Sequence, residues 1–148
     1  MSPTHRVPSS AIVAGVSAIC LLLVAGCSNT ADPFSYVKVS GTVTYEDGSK
    51  IPAPVVELNF IPETKVVGKA TPRVGTAFVD PKTGEFKNVT SHKPNDGLVH
   101  GKYKVIVAGP DHAQLPTNIV PAEYGDFQKT PLEVDTDHLP FEIKVPKP

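Results

Sequence analysis

The chain has 148 residues, the length of one small domain. Its formal charge is -1, and Arg6 is the only Lys or Arg before Cys27, which leaves 13 basic against 15 acidic residues in the remainder. That near-balance argues against a nucleic-acid binder, which needs a basic face. Sixteen prolines are about twice the usual share. Valine and isoleucine nevertheless alternate with polar residues, and low-complexity repeats are absent, so the composition indicates a β domain with proline-rich connections rather than disorder.

The opening segment "MSPTHRVPSS" is polar with one firm positive charge, Arg6. Sixteen uncharged residues follow, from Ala11 to Gly26. As a helix they would reach roughly 24 Å, short of a hydrocarbon core of about 30 Å. A basic start, a short apolar run and a small-residue exit describe a secretory signal peptide over residues 1–26. The exit, Val24-Ala25-Gly26-Cys27, resembles the lipobox of bacterial lipoproteins. The resemblance implies that the Cys27 thiol receives a diacylglycerol, that the peptidase cuts before it, and that the new amino terminus is acylated. Cys20 follows the bulky Ile19 and fails the same test. The alternatives are a conventional signal peptide with an incidental cysteine, a true membrane-spanning anchor, and a disulfide between Cys20 and Cys27. Two or three acyl chains anchor firmly where one is marginal, and an acylated Cys27 leaves no thiol for redox chemistry. Residues 27–35 then form the acylated cysteine and a short tether, and Ser28 resembles an outer-membrane-directed sorting signal.

The folded domain is expected over residues 36–148. "YVKVSGTVTY" reads as a strand with Gly41 at a bulge or close approach, and "EDGSK" turns at Asp47-Gly48. In "VVELNFIP", Val56, Leu58 and Phe60 alternate with Glu57 and Asn59, which fits a sheet with one face on a core. "ETKVVGKATPRVG" reads as an edge strand or loop. "TAFVDPKTGEFKNVT" reads as a hairpin turning at "DPKTG", and "KPNDGLVHG" as a loop. "KYKVIVAG" is a strong strand, with Tyr103, Val105 and Val107 on one face and Ile106 and Ala108 suggesting cover on the other. A long irregular connection with Pro110, Pro116 and Pro121 follows. "PLEVDT" and "LPFEIKV" are the last strands, with Leu139, Phe141, Ile143 and Val145 on one face and "DTDH" as the turn. No stretch after Cys27 keeps helical periodicity for ten residues. About seven short strands indicate an all-β, antiparallel β-sandwich.

"VSGTVTYEDGSKIPAPVVELNFIP", "GEFKNVT", "GLVHGKYKVIVAG" and "PAEYGD", in this order, resemble small planctomycete-type lipoproteins with a transthyretin-like or carboxypeptidase-regulatory-like domain. Gly41, Asp47, Gly48, Phe60, Pro62, Gly84, Phe86, Tyr103, Val107, Pro121, Tyr124 and Gly125 fit that layout. The stiff "IPAP" departs from the glycine-containing turn of many relatives. The resemblance implies a prealbumin-like sandwich in the cell envelope. It implies neither hormone binding nor a tetramer.

Chemistry-bearing motifs are sparse. His92, His100, His112 and His138 all fall in or beside loops, and with Asp111, Asp135 or Asp137 they are the material for a metal site. "DTDH" holds only the opening of a calcium loop. Ser91-His92 with Glu123 lacks a nucleophile elbow, and Glu123 with Asp126 is a carboxylate pair of unknown separation. "GPDHAQ" lacks the phosphate-loop pattern, so no cofactor is expected. A hydroxyisourate hydrolase would need histidine and arginine chemistry and a tail unlike "FEIKVPKP", and Arg73 is the only arginine after Cys27. Tyr124 and Phe127 are candidate recognition aromatics, the alternative being that Tyr124 folds back over one end of the sandwich, with Gly125 permitting the sharp backbone path. The expectation is a non-catalytic lipoprotein anchored on the periplasmic or outer-membrane side of the envelope, binding a protein or glycan. The alternative is a metal or small-ligand carrier using the loop histidines and carboxylates.

Overall fold

The computed structural model describes residues 32–63 and 70–148. The expected signal peptide, the lipobox and Cys27 lie outside the described residues, as does most of "TKVVGKA". Pro33–Pro148 form one compact unit. Among the described residues, no helix is long and apolar enough to cross a membrane.

Nine strands follow in chain order: β1 (Tyr36–Val37), β2 (Gly41–Tyr45), β3 (Val56–Pro62), β4 (Gly75–Val79), β5 (Glu85–Phe86), β6 (Leu98–Val99), β7 (Lys102–Ala108), β8 (Glu133–Asp135) and β9 (Phe141–Val145). Seven of them form one sheet in the order β8-β7-β3-β4-β5-β2-β9, and β1 pairs with β6 in a small second sheet. Every pair is antiparallel except β2 with β9, which run parallel from Gly41↔Phe141 to Tyr45↔Val145. The expected all-β sandwich is therefore present, as a mixed sheet that nearly closes into a barrel.

The curl is visible in the core. Phe60 of β3 and Phe141 of β9 stand four steps apart in the sheet order. In a flat sheet that is about 19 Å. Their ring centroids are 6.0 Å apart, and Phe60 also meets Phe86 at 5.7 Å. The sheet must bend until its apolar face covers itself. Val43, Leu58, Phe60, Phe86, Tyr103, Val105, Val107, Ile143 and Val145 fill the interior. The Tyr103 hydroxyl donates to the Val99 carbonyl at 2.7 Å, and burial pushes its pKa up to about 12. Gly41 sits where β2 and β9 approach. A Cβ there would fall 2.2 Å from the Phe141 carbonyl oxygen, so only glycine admits the pairing.

The turn after β2 and the hairpin turn between β4 and β5 both form where aspartate and glycine stand. Ser49 N–H donates to the Asp47 carboxylate and Lys82 N–H to that of Asp80, while Gly48 and Gly84 take the left-handed backbone at φ 82° and 76°.

Four details differ from the sequence reading. The first strand is split. Its start joins β6 and its end joins the main sheet, with residues 38–40 between them. "KPNDGLVHG" is not all loop, because Leu98 and Val99 pair with Val37 and Tyr36 and are buried. Two residues are too few to show a period. β9 begins at Phe141, whose N–H makes the first ladder bond to the Ser40 carbonyl. Pro140 has no N–H to offer, and Leu139 is left 39% exposed. Finally, β3 is buried on both faces rather than one, for Glu57 and Asn59 are only 2% and 7% exposed.

Candidate functional site

The residues singled out from sequence do not converge. Tyr124 lies in a one-turn helix at Ala122–Gly125 and packs, half-buried, against the core. Burial raises its hydroxyl pKa, helped by Glu123 and Glu46. Phe127 is 52% exposed. It lines an open depression of about 510 Å³ with Ile106, Gln114 and Lys129. So Phe127, not Tyr124, presents an aromatic face to solvent. Two side-chain bonds stitch the long connection that carries both to the barrel: Tyr45 hydroxyl donates to the Ile119 carbonyl at 2.6 Å and Thr130 hydroxyl to the Val105 carbonyl at 2.7 Å. Within the connection, Gln114 Nε2 donates to the Ala122 carbonyl at 3.2 Å.

The Ser91-His92-Glu123 set has a structural explanation at its serine. Ser91 Oγ has two acceptors for its one proton, the Gly97 carbonyl at 2.8 Å and the Asp96 carboxylate at 3.2 Å. The His92 ring stacks on Tyr36 at 6.3 Å. Asp96 organises this loop, accepting N–H bonds from Ser91, His92 and Lys93 at 2.9, 2.9 and 2.7 Å. Partial burial works to raise its pKa, but the donors outweigh it and hold the carboxyl below its ordinary range. The Asp126 carboxyl is likewise held low, by the Gln128 N–H and then by Lys129 at 3.2 Å.

The histidines are dispersed. His100 Nδ1 lies 4.0 Å from Asp137, with both side chains mostly exposed. His138 stands in the turn between β8 and β9, where its N–H donates to the Asp135 carbonyl. Among the described residues, no three or more His, Cys, Asp or Glu side chains gather as a metal-binding group.

One pairing escaped the sequence reading. Glu57, the second residue of β3, meets Nδ1 of His112 in close contact. The carboxylate is 3% exposed and the imidazole 68%. Glu57 Oε1 is shielded from solvent and has no hydrogen bond of ordinary geometry, so the histidine contact is its polar compensation. The loop works to hold it. Asp111 and His112 both adopt the left-handed backbone, at φ 55° and 59°, and Gly109 N–H closes the loop on the Ala113 carbonyl at 2.7 Å. The signal in the sequence was a glutamate between Val56 and Leu58 in a strand whose one other polar residue is Asn59. Its partner lies in a distant loop that no local pattern links to it.

In comparison with known proteins, the chain matches no family model, no curated protein and no solved structure.

Proposed function

We propose that this protein is a lipoprotein of the bacterial cell envelope whose β domain is a non-catalytic binding or structural module. The observation that carries the reading is Val24-Ala25-Gly26-Cys27 at the end of a short uncharged run. A thioether-linked lipid on Cys27 anchors the chain, and residues 28–35 tether the domain close to the membrane surface. The transthyretin-like resemblance belongs to the same proposal. It is supported by the all-β architecture and by strands at "GTVTY", "VELNFIP" and "KYKVIVA". The non-catalytic part is supported by the structural use of Ser91 and Asp96, whose polar atoms bond to the loop that contains them.

Phase separation in a cloud-point detergent tests the anchor. The native chain partitions into the detergent phase and incorporates labelled palmitate, whereas Cys27→Ser stays in the aqueous phase and takes up none. Equal partitioning of the two would defeat the reading.

A second reading, a metal or small-ligand carrier, keeps one observation in its favour: the contact of Glu57 with His112 beside Asp111. Titration with zinc and copper decides it. A carrier is stabilised by the metal it binds, by an amount that grows with the logarithm of metal concentration above its dissociation constant. No thermal shift with either metal removes it.

A further inference from the structure

The strand register gives the main sheet two rims. The starts of β2, β4, β7 and β9 and the ends of β3, β5 and β8 share one of them, from Gly41↔Phe86 and Gly41↔Phe141 to Phe60↔Gly75, Pro62↔Tyr103 and Lys102↔Asp135. The small sheet adjoins this rim, since residues 38–40 lead from β1 into β2 and β6 stands just before β7. Tyr36 pairs with Val99 there, so the chain enters the domain at this rim. Pro33 is six residues beyond Cys27, at most about 21 Å of extended chain. The far rim lies a strand length beyond, about 17–23 Å for strands of five to seven residues.

The two rims differ in charge. By sequence, the segments that enter or join strands at the near rim hold Lys38, Lys65, Lys69, Arg73, Lys87 and Lys93 against Asp32, Glu63, Asp96 and Asp137, a net charge of +2. Those at the far rim hold Lys50, Lys82, Lys129 and Lys147 against Glu46, Asp47, Asp80, Asp111, Glu123 and Asp126, a net charge of -2. The strands do not reverse this. Lys102 and Lys104 stand opposite Asp135 and Glu133, Lys144 is two residues from Glu142 on β9, and Glu57 lies under His112, which leaves Glu85 on β5. At the near rim Lys38 and Lys87 flank an open cleft of about 280 Å³, with Ser40 and Asn88 on its wall and no carboxylate among its lining residues. Lys38 Nζ donates to the Asn95 carbonyl, which holds this ammonium beside the loop that carries Lys93. Both oxygens of Asp96, the acid of that loop, accept backbone N–H groups. All three lysines are exposed. Among the described residues, no carboxylate stands at pairing distance from any of them, whereas Lys129 and Lys147 at the far rim pair with Asp126 and Asp47.

We propose that the near rim is the face laid on the membrane, with Lys38, Lys87 and Lys93 against the phosphates of anionic lipid headgroups and the acidic rim turned away. The proposal rests on the anchored-lipoprotein reading and adds to it an orientation and a lipid class. A lipid on Cys27 brings the near rim within reach of the bilayer surface and leaves the far rim a strand length farther off. Screening confines the attraction to about 8 Å at physiological salt, so the near lysines feel the surface and the far acids do not. Close to an anionic surface each lysine contributes about a fivefold preference. A neutral bilayer supplies none.

The test uses the isotope-labelled chain as purified from its native membrane, in small bicelles that carry a trace of gadolinium-chelating lipid. One set is neutral phosphatidylcholine, and the other also contains anionic phosphatidylglycerol. In the anionic set, amides of residues 36–40 and 87–97 are expected to relax faster than those of residues 46–50 and 122–129. Raised salt should erase most of that contrast in the unaltered chain. Lys38→Glu with Lys87→Glu and Lys93→Glu should lower the preference for this face at least about tenfold. An unchanged unfolding midpoint shows that the exposed substitutions keep the fold. Equal relaxation at the two rims, or the same contrast in neutral bicelles, would overturn the proposal. So would inorganic phosphate alone shifting the Lys38 and Lys87 amides as strongly as the anionic bicelles do, because the cleft would then be a site for free anions. If the contrast is absent while Cys27 is found acylated, the orientation falls and the anchor stands. If the contrast is confined to anionic bicelles while Cys27 carries no lipid, the anchor falls and the basic face stands.

Discussion

Glu57 is the residue that most constrains its surroundings. A buried carboxylate near the start of a strand needs compensation, and His112 provides it from a loop with two consecutive left-handed residues. Removing the imidazole leaves the acid without it. His112→Ala is expected to lower stability by about 1–3 kcal/mol. Combining it with Glu57→Leu should recover part of that loss, because both polar partners are then gone. Denaturant midpoints for the single and double variants check this; an unchanged midpoint in His112→Ala would contradict it. Asp96 is the second such residue. Its carboxyl is held below its ordinary range in the folded state, so the unfolded chain takes up that proton at higher pH than the folded chain does. Its stabilisation is complete above the ordinary carboxylate range and is lost as pH falls through the lower, folded value. Asp96→Ala should cost about 1–3 kcal/mol at neutral pH and less in acid. Thermal unfolding from pH 7 to pH 3 would show the two curves converging; parallel curves would mean that the loop does not depend on this charge.

Among the strands, those legible in the sequence are the ones long enough to show a period. β3, β7 and β9 each run for five or seven residues, and their apolar alternation marks the buried face. β1 and β6 have two residues each and offer no period at all. Cover on the second face of β3 comes from parts of the chain remote in sequence, so alternation at Glu57 and Asn59 looked like solvent exposure. The parallel pairing of β2 with β9 was also out of reach, since it joins strands near the two ends of the domain. Gly41 carried the one local hint, a glycine inside a strand run. Gly41→Ala should part β2 from β9, because the added methyl meets backbone rather than a movable side chain. Amide exchange should then quicken along both strands, and the loss of stability should exceed about 1 kcal/mol. Unchanged protection in β9 would show that the strands can slide apart without cost.

For the molecule as a whole, the fold class follows from composition and alternation, while the candidate sites depend on where the chain brings distant loops and edges. The glycine after Tyr124 already pointed to a ring folded back on the sandwich, and the folded chain packs it there, but only the folded chain shows that Phe127 faces out. The interior has one junction that tests the curled sheet directly. Phe60 touches rings from two other strands and is fully buried, so Phe60→Ala should cost about 3–5 kcal/mol, read from the denaturant midpoint. A loss below about 1 kcal/mol would mean that the sheet does not close over it. The anchored-module account turns on Cys27. Intact-mass and fragment-ion analysis of the chain purified from its native envelope should find a first residue of Cys27 carrying a diacylglycerol on sulfur. An amino terminus elsewhere, or Cys27 with a free thiol, would contradict the account.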